Sequence, residues 1–289
     1  MTRLSPFAPS YTLHAPHDHS TAVLFASPHS GRDYPDSFQA RSVLDLPRLR
    51  SSEDAYVDRF VQSAPDHGAM AITARYPRAY VDLNRDETEL DPAVIDDVVP
   101  RAISGRIAAG LGVIPRVVSG GRAIYSGKIT RAEAEDRLVN IWRPYHHEVR
   151  RQMERLHRRF GQAILVDMHS MPSEALEAFG AHKPDIVLGD RHGGAASARI
   201  TQQLEQIFTQ AGLSVRLNSP FAGAYIAQHY GRPMAGHHVV QVEINRALYL
   251  TEGVVAPGPN FDSFAALMDQ AVAQIVDVGR RADQRLAAE

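Results

Sequence analysis

The chain has 289 residues, of which 44% are hydrophobic and 22% charged, ordinary proportions for a globular protein. Its formal net charge of −2 gives no electrostatic reason to expect nucleic acid or an anionic membrane as a partner. The chain has no cysteine, which excludes disulfides, thiolate zinc sites, iron–sulfur clusters and a cysteine nucleophile. Any metal would have to be held by histidine, carboxylate and water.

Residues 1–20 are rich in proline and polar residues and predict an irregular N-terminal segment. This segment lacks the apolar core of a signal peptide, and no run in the chain approaches the ~18 apolar residues of a membrane helix. We therefore expect a soluble, cytoplasmic protein. The pattern gives no expectation for the oligomeric state.

Short apolar stretches followed by polar turns predict strands along the whole chain. They cover 21–27, 69–75, 79–83, 163–168, 185–190, 213–218 and 237–245. The adjacent pairs near 69–83 and 237–250 could add antiparallel strands.

Helical patterns lie between these strands, at 52–64, 130–160, 196–212 and roughly 260–287. The first begins with serine and acidic residues, which is a helix-start signal. Strands that alternate with helices predict one layered α/β domain over 1–289, with a mostly parallel or mixed sheet.

The helical pattern at 130–160 is the longest. Thr130 and Glu133 form a capping box at its start, and Pro144 is predicted to kink or divide it. His146 and His147 lie among charged residues of this pattern, so we expect both to be solvated.

Five of the predicted strands end in residues that commonly bind ligands. The sets are His29; Asn84 with Arg85; His169; Asp190 with His192; and Glu243. Ligands of open α/β sheets bind beyond the carboxyl ends of the strands, so these five ends predict a shared crevice.

His29 and His169 are candidate zinc ligands, since a catalytic zinc commonly takes three protein ligands and a water. Taken alone, each histidine is better explained as a turn residue that bonds to backbone. Asp167 could support His169 from behind or cap the turn. The third ligand is expected to be a carboxylate, and spacing does not choose among Asp33, Glu53 and Asp54.

Glu243 lies in a strand of β-branched residues, where an acid is costly to bury unless it is paired or lies at the sheet end. It is either a general base or the partner of a cation such as Arg246. Asn84 and Arg85 offer donors suited to a carboxylate, with Arg78 nearby. Alternatively, Arg85 pairs with an acid of its own loop.

Seven segments, taken together and in order, resemble the N-formylglutamate amidohydrolase family. They are SPHSGRDYP, EDAYVDRF, RAYVDLNRDE, GVIPRVVSGGRAIY, WRPYH, LVDMHSMP and QVEINRALY, and they run through nearly the whole chain. The resemblance implies an α/β/α sandwich around a mixed sheet, similar to zinc carboxypeptidases and aspartoacylase-type deacylases.

The same resemblance implies one zinc ion and hydrolysis of N-formylglutamate to formate and glutamate in histidine breakdown. It implies His29, Asp54 and His169 as metal ligands. It further implies Glu243 as the general base and the segment 82–85 as the contact for a substrate carboxylate. Arg32 stands where aspartoacylase-type enzymes carry a glutamate ligand, so the carboxylate ligand stays open.

On this hypothesis Arg78 or Arg85 stabilises the oxyanion, and the other arginine holds the substrate with Asn84. Two alternatives remain. One is a deacylase of another N-acyl amino acid or a carboxypeptidase-like peptidase. The other is a non-enzymatic ligand-binding protein of the same fold, which metal analysis would reveal.

Overall fold

The computed structural model describes residues 9–99 and 104–280. Within these ranges the chain packs as two compact units. The first comprises Pro28–Ala55, Thr73–Glu148 and the described residues up to Thr12. The second comprises Leu13–Ser27, Tyr56–Ile72 and the described residues from Val149 onward. The single domain expected over 1–289 stays a prediction.

Seven of the described strands form one sheet. They are β1 (Tyr11–His14), β2 (Val23–Ser27), β3 (Met70–Ala74), β6 (Ala163–Met171), β7 (Ile186–Gly189), β8 (Val215–Leu217) and β9 (His237–Asn245). Their order across the sheet is β1-β3-β2-β6-β9-β7-β8. The pairs β2–β6, β6–β9 and β7–β8 are parallel, whereas β7 runs antiparallel to β9.

Two short antiparallel pairs lie outside this sheet: β4 (Val117–Val118) with β5 (Arg122–Ala123), and β10 (Leu250–Thr251) with β11 (Ala256–Pro257). The antiparallel pair expected near 237–250 is therefore displaced, since β10 pairs with β11 and lies in a different sheet from β9.

The α-helices include nine described segments. They are α1 (Asp36–Arg41), α2 (Leu46–Leu49), α3 (Val57–Phe60), α4 (Gly105–Ala108), α5 (Arg131–Arg137), α6 (Arg143–Phe160), α7 (Ala198–Gln210), α8 (Tyr225–Tyr230) and α9 (Phe261–Val278). Short 3₁₀ helices cover Arg50–Ser52, Ser119–Gly121, Ser173–Phe179, Pro233–Ala235, Arg246–Leu248 and Glu252–Val254.

The predicted fold class is confirmed: a mixed, mostly parallel central sheet carries helices on both sides. Strands β2 and β6 are buried along their whole length. Burial on both faces explains why both strands read as nearly continuous apolar runs.

The helical pattern at 130–160 is confirmed, with a local change of winding. Thr130 Oγ1 accepts a hydrogen bond from the Glu133 N–H, so half of the predicted capping box forms, whereas the Glu133 carboxylate pairs with Arg41 and Arg137. Between α5 and α6 the residues Leu138–Trp142 form a π-helical segment. Pro144 follows directly. It has no N–H to donate to the carbonyl four residues earlier, and this favours the wider turn.

Two predicted elements are wrong. Residues 79–83 form turns rather than a strand, and the helix predicted over 52–64 begins only at Val57. Tyr56 has a left-handed backbone with φ of 66°, which interrupts any helix entering from 52.

At the N-terminus, β1 shows that 1–20 is not irregular throughout, while residues 1–8 lie outside the described part. The last predicted helix is α9, and residues 281–287 of that prediction also lie outside it. Among the described helices, none is long and apolar enough to cross a membrane.

Candidate metal centre

His29 lies just after β2, and both of its ring nitrogens face carboxylates. Its Nε2 is 2.7 Å from Asp82 Oδ1, and its Nδ1 is 3.4 Å from Asp54 Oδ2. The Asp54 N–H also donates to the His29 carbonyl at 3.0 Å, which ties the two segments together. A carboxylate behind one nitrogen fixes the ring and leaves the other nitrogen for a metal. Nδ1 is therefore the candidate ligand atom.

Asp82 collects several donors in addition to His29. Arg78 Nη2 donates to its Oδ2 and the Asn84 N–H to its Oδ1, both at 2.8 Å. Burial alone would raise the pKa of Asp82, but its interactions with His29 and with the Arg78 guanidinium hold that pKa well below its usual value. Asp82 is thus an ionised anchor for the His29 ring.

Arg85 is held by backbone oxygens rather than by an acid of its own loop. Its Nε donates to Leu111 O at 3.0 Å, and its Nη1 donates to Asn84 O at 2.8 Å. Burial lowers its pKa. Among the described residues, none accepts a hydrogen bond from Nη2. This edge of the guanidinium can still bind an anion.

The structure distinguishes the three carboxylates that the sequence left open. Asp33 is exposed and lies 2.8 Å from Arg75 Nη2. Glu53 is buried but pairs with Arg50 Nε at 3.0 Å and accepts from the Tyr34 hydroxyl at 3.1 Å. Asp54 is fully buried beside His29.

In the second unit, four polar side chains share one face of the sheet. In the parallel register Asp167 lies opposite Gln241, and His169 lies opposite Glu243. Since side chains alternate along a strand, these two pairs point to the same side, while Met168 and Val242 point to the other. Adjacent strands are about 4.8 Å apart, so His169 and Glu243 are close neighbours.

Hydrogen bonds fix the orientation of these side chains. Asp167 Oδ2 is 3.0 Å from His169 Nε2, and it therefore supports that ring as Asp82 supports His29. Gln241 accepts from the Ala224 N–H at 3.0 Å through Oε1 and donates from Nε2 to Glu243 Oε1 at 2.8 Å. The backbone at Ala224 thus sets the amide of Gln241, which in turn positions the Glu243 carboxylate.

His29, Asp54 and His169 form a group that could hold a metal ion. One ligand atom from each lies within 4.8 Å of the others, and all three residues are buried. Two imidazoles and a carboxylate are a donor set that divalent metals accept in catalytic sites, with a position left for water. Two outer carboxylates behind the imidazoles complete the fit.

The predicted crevice of five strand ends is only partly correct. Because β7 runs antiparallel to β9, the carboxyl end of β7 lies next to the amino-terminal half of β9. Asp190, which follows β7, is therefore far from the carboxyl end of β9. Asp190 instead accepts from Thr201 Oγ1 at 2.9 Å and from Asn218 Nδ2 at 2.8 Å, a structural role. Arg246, considered above as a partner of Glu243, donates from Nε to Ser170 Oγ at 3.0 Å.

Comparison with known proteins assigns the family. The family model for N-formylglutamate amidohydrolase matches residues 21–250. The chain belongs to the N-formylglutamate amidohydrolase family. It is 30% identical over 247 residues to an N-formylglutamate deformylase of Pseudomonas putida, covering 82% of this chain and 84% of that protein. A second relative of that name, from Pseudomonas aeruginosa, is 31% identical over 236 residues, or 80% of this chain and 82% of the relative.

Among solved structures, the crystal structure of N-formylglutamate amidohydrolase from Ralstonia eutropha JMP134 matches with a TM-score of 0.88. The identity is 30%, and the match covers 94% of this chain and 99% of that one. The resemblance read from the sequence is thereby confirmed.

Two buried side chains that bond to the segment 82–85 were not predicted from the sequence to lie there. Trp142 Nε1 donates to Arg85 O at 3.0 Å, and His146 Nε2 lies 2.9 Å from Leu83 O. The prediction that His146 is solvated is wrong, because it is 1% exposed. The motif WRPYH carried the signal, but the charged residues around it suggested an exposed face.

Gly31 should not tolerate a side chain. A Cβ there would lie 2.2 Å from the Tyr76 carbonyl oxygen, so Gly31→Ala must displace the turn that carries His29. We expect about 1–3 kcal/mol of destabilisation and weaker metal binding. Gly127→Ala is the control, since its Cβ would meet nothing within 4 Å. Equal melting temperatures and metal contents in the two variants would contradict this.

Proposed function

We propose that this chain hydrolyses the formyl amide of N-formyl-L-glutamate, giving formate and L-glutamate, with one zinc ion held by His29, Asp54 and His169. The observation that carries the proposal is the buried His–Asp–His group, with Glu243 beside His169 on one sheet face. Membership of a family whose curated relatives are N-formylglutamate deformylases supports the substrate.

The chemistry of the donor set supports zinc, because nitrogen and carboxylate ligands with one open position suit that ion. When bound, zinc would lower the pKa of a coordinated water and polarise the carbonyl. The metal analysis would also detect another divalent metal that prefers the same ligands.

Glu243 moves the proton in this proposal. Its carboxylate accepts a proton from the attacking water and returns it to the amine as the C–N bond breaks. The water oxygen ends in formate, and the amine leaves as glutamate. The hydrogen bond from Gln241 holds the carboxylate in place between the two transfers.

The arginines and Asn84 handle the anionic groups. Arg85 presents Nη2 to a substrate carboxylate, with Asn84 as a further donor. Arg78 is assigned to the oxyanion, where a fixed cation stabilises charge that develops during the reaction. Asp82 orients Arg78 by accepting from its Nη2.

The test is a comparison of substrates with protein purified without chelator and analysed for metal. We expect stoichiometric zinc in the purified protein. We expect kcat/KM to be higher for N-formylglutamate than for N-acetylglutamate, N-succinylglutamate or N-formylglutamine. A faster N-acetyl or N-succinyl substrate would assign another deacylase. No turnover and no metal, even after zinc is added, would overturn the enzymatic proposal. The cytoplasmic location stays a prediction.

A further inference from the structure

One helical run donates three hydrogen bonds to the backbone of the segment 80–85. The donors are buried side chains, and each acceptor is a main-chain carbonyl. The bonds are Arg137 Nη1 to Tyr80 O at 3.0 Å, His146 Nε2 to Leu83 O at 2.9 Å, and Trp142 Nε1 to Arg85 O at 3.0 Å. A carbonyl only accepts, so the His146 Nε2 must carry the proton.

The π-helical segment allows these donors to share one face. In a regular α-helix, residues five apart point about 140° away from each other. Arg137 and Trp142 are five apart, but the winding between them is π-helical, and the Arg143 N–H bonds to Leu138 O. Residues five apart then lie about one turn apart. His146 follows Trp142 by four positions in α6 and stays on the same face.

The segment held in this way carries the residues assigned to the substrate. Asp82 anchors His29, and Asn84 lies between the carbonyls of Leu83 and Arg85, which are both fixed. The Asn84 carbonyl in turn accepts from Arg85 Nη1. A shift of this backbone therefore moves the guanidinium that presents Nη2.

We propose that Trp142 and His146, aligned by the π-helical segment, are positioning residues that set the affinity for the substrate carboxylate. The proposal rests on the function proposed above, since it assigns the segment 82–85 to substrate binding. Neither residue is placed in contact with substrate. Each acts through the backbone of Leu83 or Arg85.

Single substitutions test the two bonds. Trp142→Phe and His146→Leu each remove one donor and keep a ring or an apolar side chain. We expect each to raise KM for N-formylglutamate by roughly 3–10-fold, the effect of one lost hydrogen bond. We expect kcat to stay within about threefold. The Kd of the product L-glutamate, measured by calorimetry, should rise by the same factor as KM. His146→Gln, which can again donate to Leu83 O, should restore both.

Deletion of Val139 tests whether the π-helical segment aligns the three donor side chains. This residue is half-exposed in the π-helical segment, so its deletion would return the run to regular α-helix and turn Arg137 away from Tyr80. We expect a larger rise in KM than from either substitution. Val139→Ala keeps the residue count and serves as the control.

A purely structural role predicts a different result. It would lower the melting temperature and the active fraction, and hence kcat, while KM and the Kd of glutamate stay at parental values. That result in Trp142→Phe and His146→Leu would overturn the proposal, and the substitutions decide it if the deletion variant does not fold. The parental enzyme's own turnover tests the proposed function separately.

Discussion

Glu243→Gln should lower kcat for N-formylglutamate by roughly 10²–10⁴-fold, the contribution of a positioned proton-transfer group. Glutamine has the shape of glutamate but cannot take a proton from water at neutral pH. The loss should appear in kcat rather than in KM, because the carboxylate acts in the transition state and is not assigned to substrate binding.

The fold around residue 243 should survive this substitution. A glutamine there can still offer an oxygen to Gln241 Nε2, the bond that now reaches Glu243 Oε1. The zinc content and melting temperature are therefore expected to match those of the parent. Both must be measured, since loss of metal would also abolish activity.

Glu154→Gln is the matched control, because it removes the same charge from the exposed surface of α6. It should leave kcat unchanged. If Glu243→Gln with bound zinc works at the parental rate, Glu243 is not the general base, and the proton must pass through another group.

The strands could be predicted because buried strands are made of apolar residues, which are visible in the sequence. The range 237–245 was predicted with the bounds that β9 has, and 163–168 lies within β6. A strand buried on both faces needs apolar residues in succession, so the polar exceptions Asp167, His169 and Glu243 were conspicuous. The direction of β7 was not visible, because an apolar run reads the same in either direction.

The loops that carry the site were predicted less well. Residues 79–83 are apolar apart from Asp82, as a buried strand would be. Their backbone instead bonds to distant partners, such as Asp82 N to Val113 O and Arg137 to Tyr80 O. Such long-range acceptors have no local signal in the sequence.

The carboxylate next to His29 shows the same limit. Glu53 and Asp54 both looked like the acidic start of a helix, a favourable placement near the helix dipole. The helix begins later, and the Asp54 N–H is used by the His29 carbonyl. Only the paths of two separate segments decide which of the adjacent acids faces the imidazole.

Asp54→Asn should remove most of the zinc from a protein that still folds. Asparagine keeps the size of aspartate but replaces a charged oxygen donor with a neutral amide, a poor substitute among zinc ligands. Metal per chain after dialysis should fall well below one, and kcat should fall with it. In the parent, zinc at about 100 times its Kd should stabilise the fold by about 2.7 kcal/mol, and the variant should lose most of this shift.

Substitutions of Asp167 and Glu53 distinguish the loss of a metal ligand from a general loss of structure. Asp167→Asn changes the carboxylate behind His169 Nε2, so its zinc affinity should fall by roughly 10–100-fold, the usual cost of an outer partner. Glu53→Gln should keep the metal, because Glu53 is paired with Arg50 and Tyr34. The expected order of zinc loss is therefore Asp54→Asn, then Asp167→Asn, then Glu53→Gln. If Glu53→Gln loses the metal while Asp54→Asn retains it, the ligand is Glu53, and the loop must rearrange when zinc binds.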